Sequence, residues 1–262
     1  AIRLADRIGL KDVITFDMGG TTAKASLIEQ GKPSLTTEYE VGAGIQLSNR
    51  LVKGRGHALK LPVIDIAEVG AGGGSIVRVD PGGSLRVGPQ SAGAKPGPAC
   101  YSQGGTEATV TDANVVLGYI NPTSIAGGTV SVNSEAAKIA LNRSAAEHLE
   151  LETNDAAYGV YAVANTTMIR AIKSVTTYRG RDPREFTLMA FGGSGPLHAA
   201  EMARSLGIRQ IIVPASPGVF SALGLLEALP EYGFSRTMIT DPISEGGDKI
   251  VNAFNELESS SI

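Results

Sequence analysis

The chain has 262 residues, 42% of them hydrophobic and 19% charged, with a formal net charge of −3. That composition suits an ordinary globular core of one large or two small domains that needs no disulfide or structural metal, and its scattered basic residues leave no nucleic-acid footprint. No apolar run approaches the ~18 residues of a membrane span, and the single cysteine, Cys100, gives no internal disulfide framework and suits a reducing, cytoplasmic compartment.

In chain order, Ile2, Ala5 and Ile8 fall at helical spacing, predicting a helix over 1–10 that stops at Gly9. Residues 13–17 read as a strand, 23–29 as a second and 34–41 as a third, with "QGKP" as a turn, so that the three form an antiparallel meander. Over 42–128 the helical period is lost and a loop-rich β insertion is expected. "VIDIAEVG" and "SIVRVD" are strands about "AGGG", "PGGS" turns the chain back into "LRVG", and "PQSAGAKPGPACYSQGG" holds too much Gly and Pro for regular structure. "TDANVVLGYI" predicts a short helix capped by Thr111. Residues 134–149 predict another, opened by Ser134, and Thr153 or Asn154 opens a long one to about Tyr178 with Ala157, Val160, Tyr161, Ala164, Met168 and Ile172 on one apolar face.

Strand "FTLMAF", helix 196–206, strand "QIIVP" and helix 219–226 then alternate, the pattern of a parallel sheet wound with helices. Residues 241–262 are expected to begin a further helical region. A meander followed by parallel strands is the order of the ribonuclease-H-like fold of actin-like ATPases, and the whole of 1–262 is read as a single α/β unit. The chain opens on Ala1 and ends in "ELESSSI", which gives the expectation of a piece cut from a longer polypeptide.

Glycines cluster after strands. In "FDMGGTT" the carboxylate of Asp17 ends a strand, and Gly19, Gly20, Thr21 and Thr22 then offer consecutive N–H groups, two hydroxyls and little side chain to keep a phosphate away. Asp17 would repel a bare phosphate but suits the water shell of Mg2+. A hairpin whose aspartate accepts turn N–H bonds explains the same residues. "FGGSGPLHAAEMA" sets Gly192, Gly193, Ser194 and Gly195 between a strand and a helix, where N–H groups and the helix's positive end face a ligand, or where a tight βα connection is needed. "GAGGGS" over 70–75 is a third such loop.

None of them is a dinucleotide fingerprint, because Ser75 and His198 occupy the third glycine's place, and "GPQSAGAK" misses the P-loop pattern because Ala94 separates Gly93 from Lys95. His57, His148 and His198 show no metal spacing. His198, one turn into the predicted helix, either reaches a ligand or is structural. Cys100 reads as a small packed side chain and Asp112 as a first-turn helix carboxylate. No nucleophile elbow is present.

"FDMGGTTAKASL", "EVGAGGGSIVRVDPGGSLRVGPQSAGAKPGPACYSQGGTEATVTDAN", "RGRDPREFTLMAFGGSGPLHAAEMARSLGI" and "IIVPASPGVFSALGLL" together resemble the hydantoinase A / 5-oxoprolinase family from about Asp12 to Leu229. The resemblance implies an actin-like ATPase fold whose two halves close on ATP with Mg2+, and an activity that opens hydantoin or 5-oxoproline rings at the expense of ATP. The alternatives within it are the ATP-using subunit of an acetone or acetophenone carboxylase, or a non-catalytic binding module of the same fold. It implies a small cyclic amide as substrate and a hydantoinase B-type partner subunit or domain.

By resemblance, Asp17 is the catalytic and metal-side carboxylate, Gly19, Gly20, Thr21 and Thr22 are the second phosphate loop, and Gly192, Gly193, Ser194 and Gly195 are the adenosine loop. Only one Asp-x-Gly-Gly-Thr motif occurs, so the chain is expected to carry the second half of the ATPase. Many members read Thr-Ser-Thr-Asp after the two glycines; here the chain reads Thr21-Thr22-Ala23-Lys24, so a lysine stands where a carboxylate is common. The two glycine loops are expected to face one cleft, with 72–74 and 93–100 at its rim.

Overall fold

The structure, a computed structural model, describes residues 1–36, 39–41, 57–59, 62–228, 234, 236–239 and 246–259. Helix α1 (Ile2–Arg7) ends where Gly9 takes a φ of 73°. Strand β1 (Val13–Met18) follows and returns as β2 (Ala23–Glu29), whose turn into β3 (Lys32–Pro33) puts Gln30 and Gly31 at positive φ. Beyond the described gaps come β4 (Ile66–Val69) and a separate hairpin of β5 (Ser75–Val79) and β6 (Leu85–Ser91). The rest is α2 (Val110–Val116), α3 (Ser134–Leu141), α4 (Thr153–Val175), β7 (Thr187–Phe191), α5 (Gly195–Leu206), β8 (Ile211–Ile212), α6 (Phe220–Glu227) and α7 (Gly246–Ser259).

The main sheet runs β8-β7-β1-β2-β3, with β4 also paired to β2. β1 lies parallel to β7 and antiparallel to β2, so the meander and the parallel strands meet in one mixed sheet. The period of two along β1 sends Ile14, Phe16 and Met18 to a core shared with Val160, Ala164, Met168 and Ile172 of α4. Phe16 stands opposite Ala25 and Ala190, and Ala25 opposite Ala67, so one large ring is surrounded by methyl groups and α4 can lie close to the sheet. The other face of β1 carries Val13, which joins Ala5, Ile28, Met189 and Phe191 beneath α1. β7 is buried along its whole length, as a central parallel strand covered on both faces should be. All six residues assigned to the apolar face of the long helix are buried.

Several boundaries differ from the sequence reading. The third strand, 34–41, is not one strand, and residues 37 and 38 lie outside the described ones. Pro33 has no N–H to continue the ladder, and β4 takes β2's outer edge at 23–26. Leu35–Thr36 therefore pairs with Val63–Ile64, and Tyr39–Val41 with His57–Leu59. The cap of α2 is Thr109 rather than Thr111. Thr109 exchanges hydrogen bonds with Asp112 in a capping box, while the Thr111 hydroxyl donates to the Gly73 carbonyl at 2.9 Å. Helix 134–149 is interrupted at Leu141 by a wider turn over Asn142–Ala146, where Thr153 Oγ1 donates to Asn142 Oδ1, and its cap is Asn133, with Ser134 the first helical residue. α4 stops at Val175, three residues short of Tyr178, as Thr176 leaves helical geometry. The "LRVG" strand runs on to Ser91, and a short 3-10 turn forms at Ala99–Tyr101 inside the stretch expected to be irregular.

Candidate functional site

The carboxyl ends of β1 and β7 are neighbours, which is where open α/β sheets receive ligands. After β1 the chain makes a turn closed by Gly19 N–H donating to the Thr22 carbonyl at 3.1 Å. After β7 it folds over β1: Ser194 N–H donates to the Met18 carbonyl at 3.0 Å. Gly192 lies so close that a Cβ would stand 2.4 Å from both Asp17 Oδ1 and the Met18 oxygen, and its φ is +80°. The two loops expected to share a ligand are thus packed together.

The third loop completes the cluster. Gly73 N–H donates to the Gly19 carbonyl at 3.0 Å and Gly74 N–H to the Gly20 carbonyl at 2.6 Å. A Cβ on Gly72 would lie 2.6 Å from backbone atoms of Gly20 and Thr21. A Cβ on Gly73 would meet Thr111 Oγ1 at 2.8 Å and Ser194 Oγ at 2.9 Å, so those hydroxyls flank the loop. The segment 93–100 is anchored beside it. Ala92 N–H reaches the Gly74 carbonyl, while Ala99 and Cys100 donate to Asp112 at 3.3 and 2.8 Å. Asp112 is fully buried and also accepts from Thr109, so it pins a helix start and a loop end together.

On the outer side the loops are open. Gly20, Thr21 and Gly193 are exposed, and a Cβ on Gly19, Gly20 or Gly193 would meet nothing within 4 Å. Among the described residues no protein acceptor takes the N–H of Gly20, Thr21 or Gly193. Exposed amides without partners, on a backbone bare of side chains, form a surface suited to an anion. Gly195 opens α5 from beneath, and Ser194 at its cap makes no side-chain capping bond.

Asp17 is half-buried, and its Oδ2 accepts a hydrogen bond from Ser221 Oγ at 2.8 Å. In the sheet it stands directly between Phe191 of β7 and Lys24 of β2, and Lys24 stands opposite Glu68 of β4. Phe191, Asp17, Lys24 and Glu68 therefore form a row across four strands on one face. Phe191 packs edge-on against Phe220, with ring centroids 5.0 Å apart, which seats α6 beside the row and brings Ser221 to Asp17. The sequence reading missed Ser221, Thr111 and Glu68. A turn rich in Gly, Pro and Ser after β8 was a signal for Ser221; the other two depend on contacts across distant segments.

His198 does not reach the open surface. It is fully buried, stacked on Tyr161 with centroids 4.8 Å apart, with Nδ1 2.8 Å from Asn165 Oδ1 and Nε2 3.2 Å from Asn114 Nδ2. Nδ1–H donating and Nε2 accepting describe a neutral ring, and burial pulls its pKa down to about 4. The ring ties α2, α4 and α5 together under the glycine loops. Cys100 is buried and its thiol is pushed up by desolvation first and by the Asp112 charge second, which makes it a packed, unreactive group.

A mixed sheet of this strand order, with glycine loops at the carboxyl ends of its central parallel strands, is the half-fold of the actin-like ATPases. Residues 1–232 match the hydantoinase/oxoprolinase family, and the chain belongs to it. It is 46% identical over 94% of its length to an uncharacterized protein of Methanocaldococcus jannaschii, of which it covers 36%. It is 36% identical over 84% of its length to caprolactamase subunit alpha of Pseudomonas jessenii, covering 30% of it, and 38% identical over 90% to the acetophenone carboxylase gamma subunit of Aromatoleum aromaticum, covering 31%.

Among solved structures, nucleotide-free acetone carboxylase superposes with a TM-score of 0.78 at 29% identity, over 99% of this chain and 36% of that one. The ATP-dependent caprolactamase of Pseudomonas jessenii superposes with a TM-score of 0.72 at 36% identity, over 85% of this chain and 30% of that one. The chain thus spans about a third of the length of these relatives. Among the described residues no helix is long and apolar enough to cross a membrane.

Proposed function

We propose that this chain supplies the second half of the nucleotide site of an enzyme that opens a cyclic amide of the hydantoin or 5-oxoproline type at the expense of ATP. The observation that carries the reading is the convergence of three glycine loops beside Asp17, with the Gly20, Thr21 and Gly193 amides free of any acceptor among the described residues. Those amides fit a polyphosphate. Asp17 fits a hydrated Mg2+, a cation that keeps several waters and takes only one or two carboxylates. ATP, when bound, supplies a phosphoryl group to the amide oxygen, which makes the carbonyl open to water.

The chain's own contribution is position and charge. Gly19, Gly20, Thr21 and Thr22 hold the phosphates. Gly193 and Ser194 meet the nucleoside side, Gly192 and Gly195 seat that loop against β1 from beneath, and Ser221 fixes Asp17 by a hydrogen bond to Oδ2. The relatives named as subunits favour a hydantoinase B-type partner subunit or domain.

A second reading, the ATP-using subunit of a ketone carboxylase, is favoured by the superposition on acetone carboxylase and the identity with the acetophenone enzyme. Release of ADP separates the two. The complete subunit with its partner is expected to release ADP only with a lactam or hydantoin, tested with 5-oxoproline, N-methylhydantoin and caprolactam. ADP release only with acetone and bicarbonate would favour the carboxylase. Turnover that survives Asp17→Ala would favour a non-catalytic module. The 262-residue chain alone is expected to turn ATP over poorly, because one of the two phosphate loops is missing from it.

A further inference from the structure

We infer that Lys24 is the contact for the terminal phosphate of the bound nucleotide. The inference rests on the nucleotide reading above and adds to it the direction in which the nucleotide lies. In the row across the sheet, Phe191 leads into the loop assigned to the nucleoside, Asp17 stands under the phosphate loop, and Lys24 comes next on the far side. Neighbouring strands are about 4.8 Å apart, so Lys24 lies roughly 10 Å from the Phe191 strand, beyond Asp17. A nucleotide with its nucleoside at 192–195 and its phosphates over 19–22 extends towards Lys24 and reaches it with its last phosphate.

The side chain is placed for this task. Lys24 Nζ lies 3.4 Å from Thr22 Oγ1, at the end of the phosphate loop, and 3.5 Å from Glu68 Oε1. Both contacts are long, and the side chain is 45% exposed. An ammonium held loosely by one hydroxyl and one carboxylate keeps donors for a stronger acceptor, and a phosphate oxygen is such an acceptor. Glu68 across the strand limits where the head group can point. Its own charge also keeps the Lys24 site from being strongly positive before the ligand arrives. Asp17 and Lys24 then flank the phosphates with opposite charges, one for the hydrated cation and one for the phosphate that is not covered by it.

The test is equilibrium binding of ATP and of ADP, each with Mg2+, by titration calorimetry on the complete subunit with its partner. The variants are Lys24→Met, Lys24→Arg and Lys24→Asp. Losing a charge-assisted contact to a phosphate is expected to weaken ATP about tenfold or more in Lys24→Met and to change ADP less than about twofold. Lys24→Arg is expected to recover most of the loss and Lys24→Asp to exceed it. The side chain is substantially exposed, so the melting temperature should hardly move, which separates the effect from misfolding. Equal losses for ATP and ADP, or no loss in Lys24→Met, overturn the inference while leaving the nucleotide reading standing. A wild-type subunit that binds neither nucleotide overturns that reading and the inference with it.

Discussion

The glycines of the three loops fall into two kinds that look alike in the sequence. Gly72 and Gly192 face inwards, where a Cβ would stand 2.4–2.6 Å from backbone or carboxylate atoms of the neighbouring loop. Gly19, Gly20 and Gly193 face outwards, where a Cβ would meet nothing within 4 Å, and none of these three has a positive φ. The first kind exists so that one loop can lie on another. The second leaves main-chain amides uncovered at Gly20 and Gly193, while the Gly19 N–H closes the turn on the Thr22 carbonyl. A glycine-rich turn is therefore evidence for a ligand only in its outward half.

The contrast breaks first at Gly192. Gly192→Ala must strain a φ of +80° and push a methyl group into Asp17 Oδ1 and the Met18 carbonyl. The expected cost is more than about 3 kcal/mol of stability, with Gly72→Ala close behind. Denaturant titration of either variant checks this. A wild-type midpoint for Gly192→Ala would mean that the loops are not packed as described.

Much of this arrangement was legible. The run of strand-forming residues Val13, Ile14, Thr15 and Phe16 marks β1, and the helical spacing from Ala157 to Ile172 marks the face of α4, because both are local patterns along the chain. The turn proposed to hold phosphate stood out because Asp17 and the two glycines of 19–20 lie close together in the chain. What stayed hidden depends on contacts between distant segments. Nothing near Lys24 in the sequence says that Glu68 lies across from it, since that register is set by pairing over an intervening gap of more than forty residues. The choice between Thr109 and Thr111 as the cap was decided by Asp112, whose carboxylate serves the cap and also the loop ending at Cys100. The third strand failed because Pro33 ends the ladder while β4 competes for the same edge.

The inward side carries a titratable marker, His198, and it sharpens the contrast through pH. Its pKa is about 4 in the fold and 6.5 in an unfolded chain, so the unfolded state binds more protons between those values. Stability contributed by the neutral ring is then complete above pH 6.5 and is lost as pH falls towards 4. The loss should amount to roughly 2–3 kcal/mol by pH 4.5. In His198→Asn the baseline is lower, but this part of the pH slope should vanish. The difference between the two proteins' unfolding free energies at pH 7.5, 5.5 and 4.5 measures it. A constant difference would show that the ring takes up its proton as readily inside the fold as in the unfolded chain.

The smallest expected effect is the most discriminating, and it concerns Gly20. An alanine there meets no atom within 4 Å and no left-handed backbone, so the folded state pays nothing for the methyl group. Removing a glycine from the unfolded chain should even raise stability, by about 0.4–1 kcal/mol. If Gly20 served the fold, as Gly72 does, the substitution would instead destabilise. If it is there so that a phosphate can touch its N–H, the methyl group will crowd the ligand, and ATP affinity will fall while the melting temperature stays level or rises. Opposite signs for stability and affinity in a single variant cannot come from general damage. The pair of measurements is a thermal melt and a nucleotide titration of Gly20→Ala beside wild type. An unchanged affinity would move the phosphate site away from this loop, and a lowered melting temperature would place Gly20 with the packed glycines.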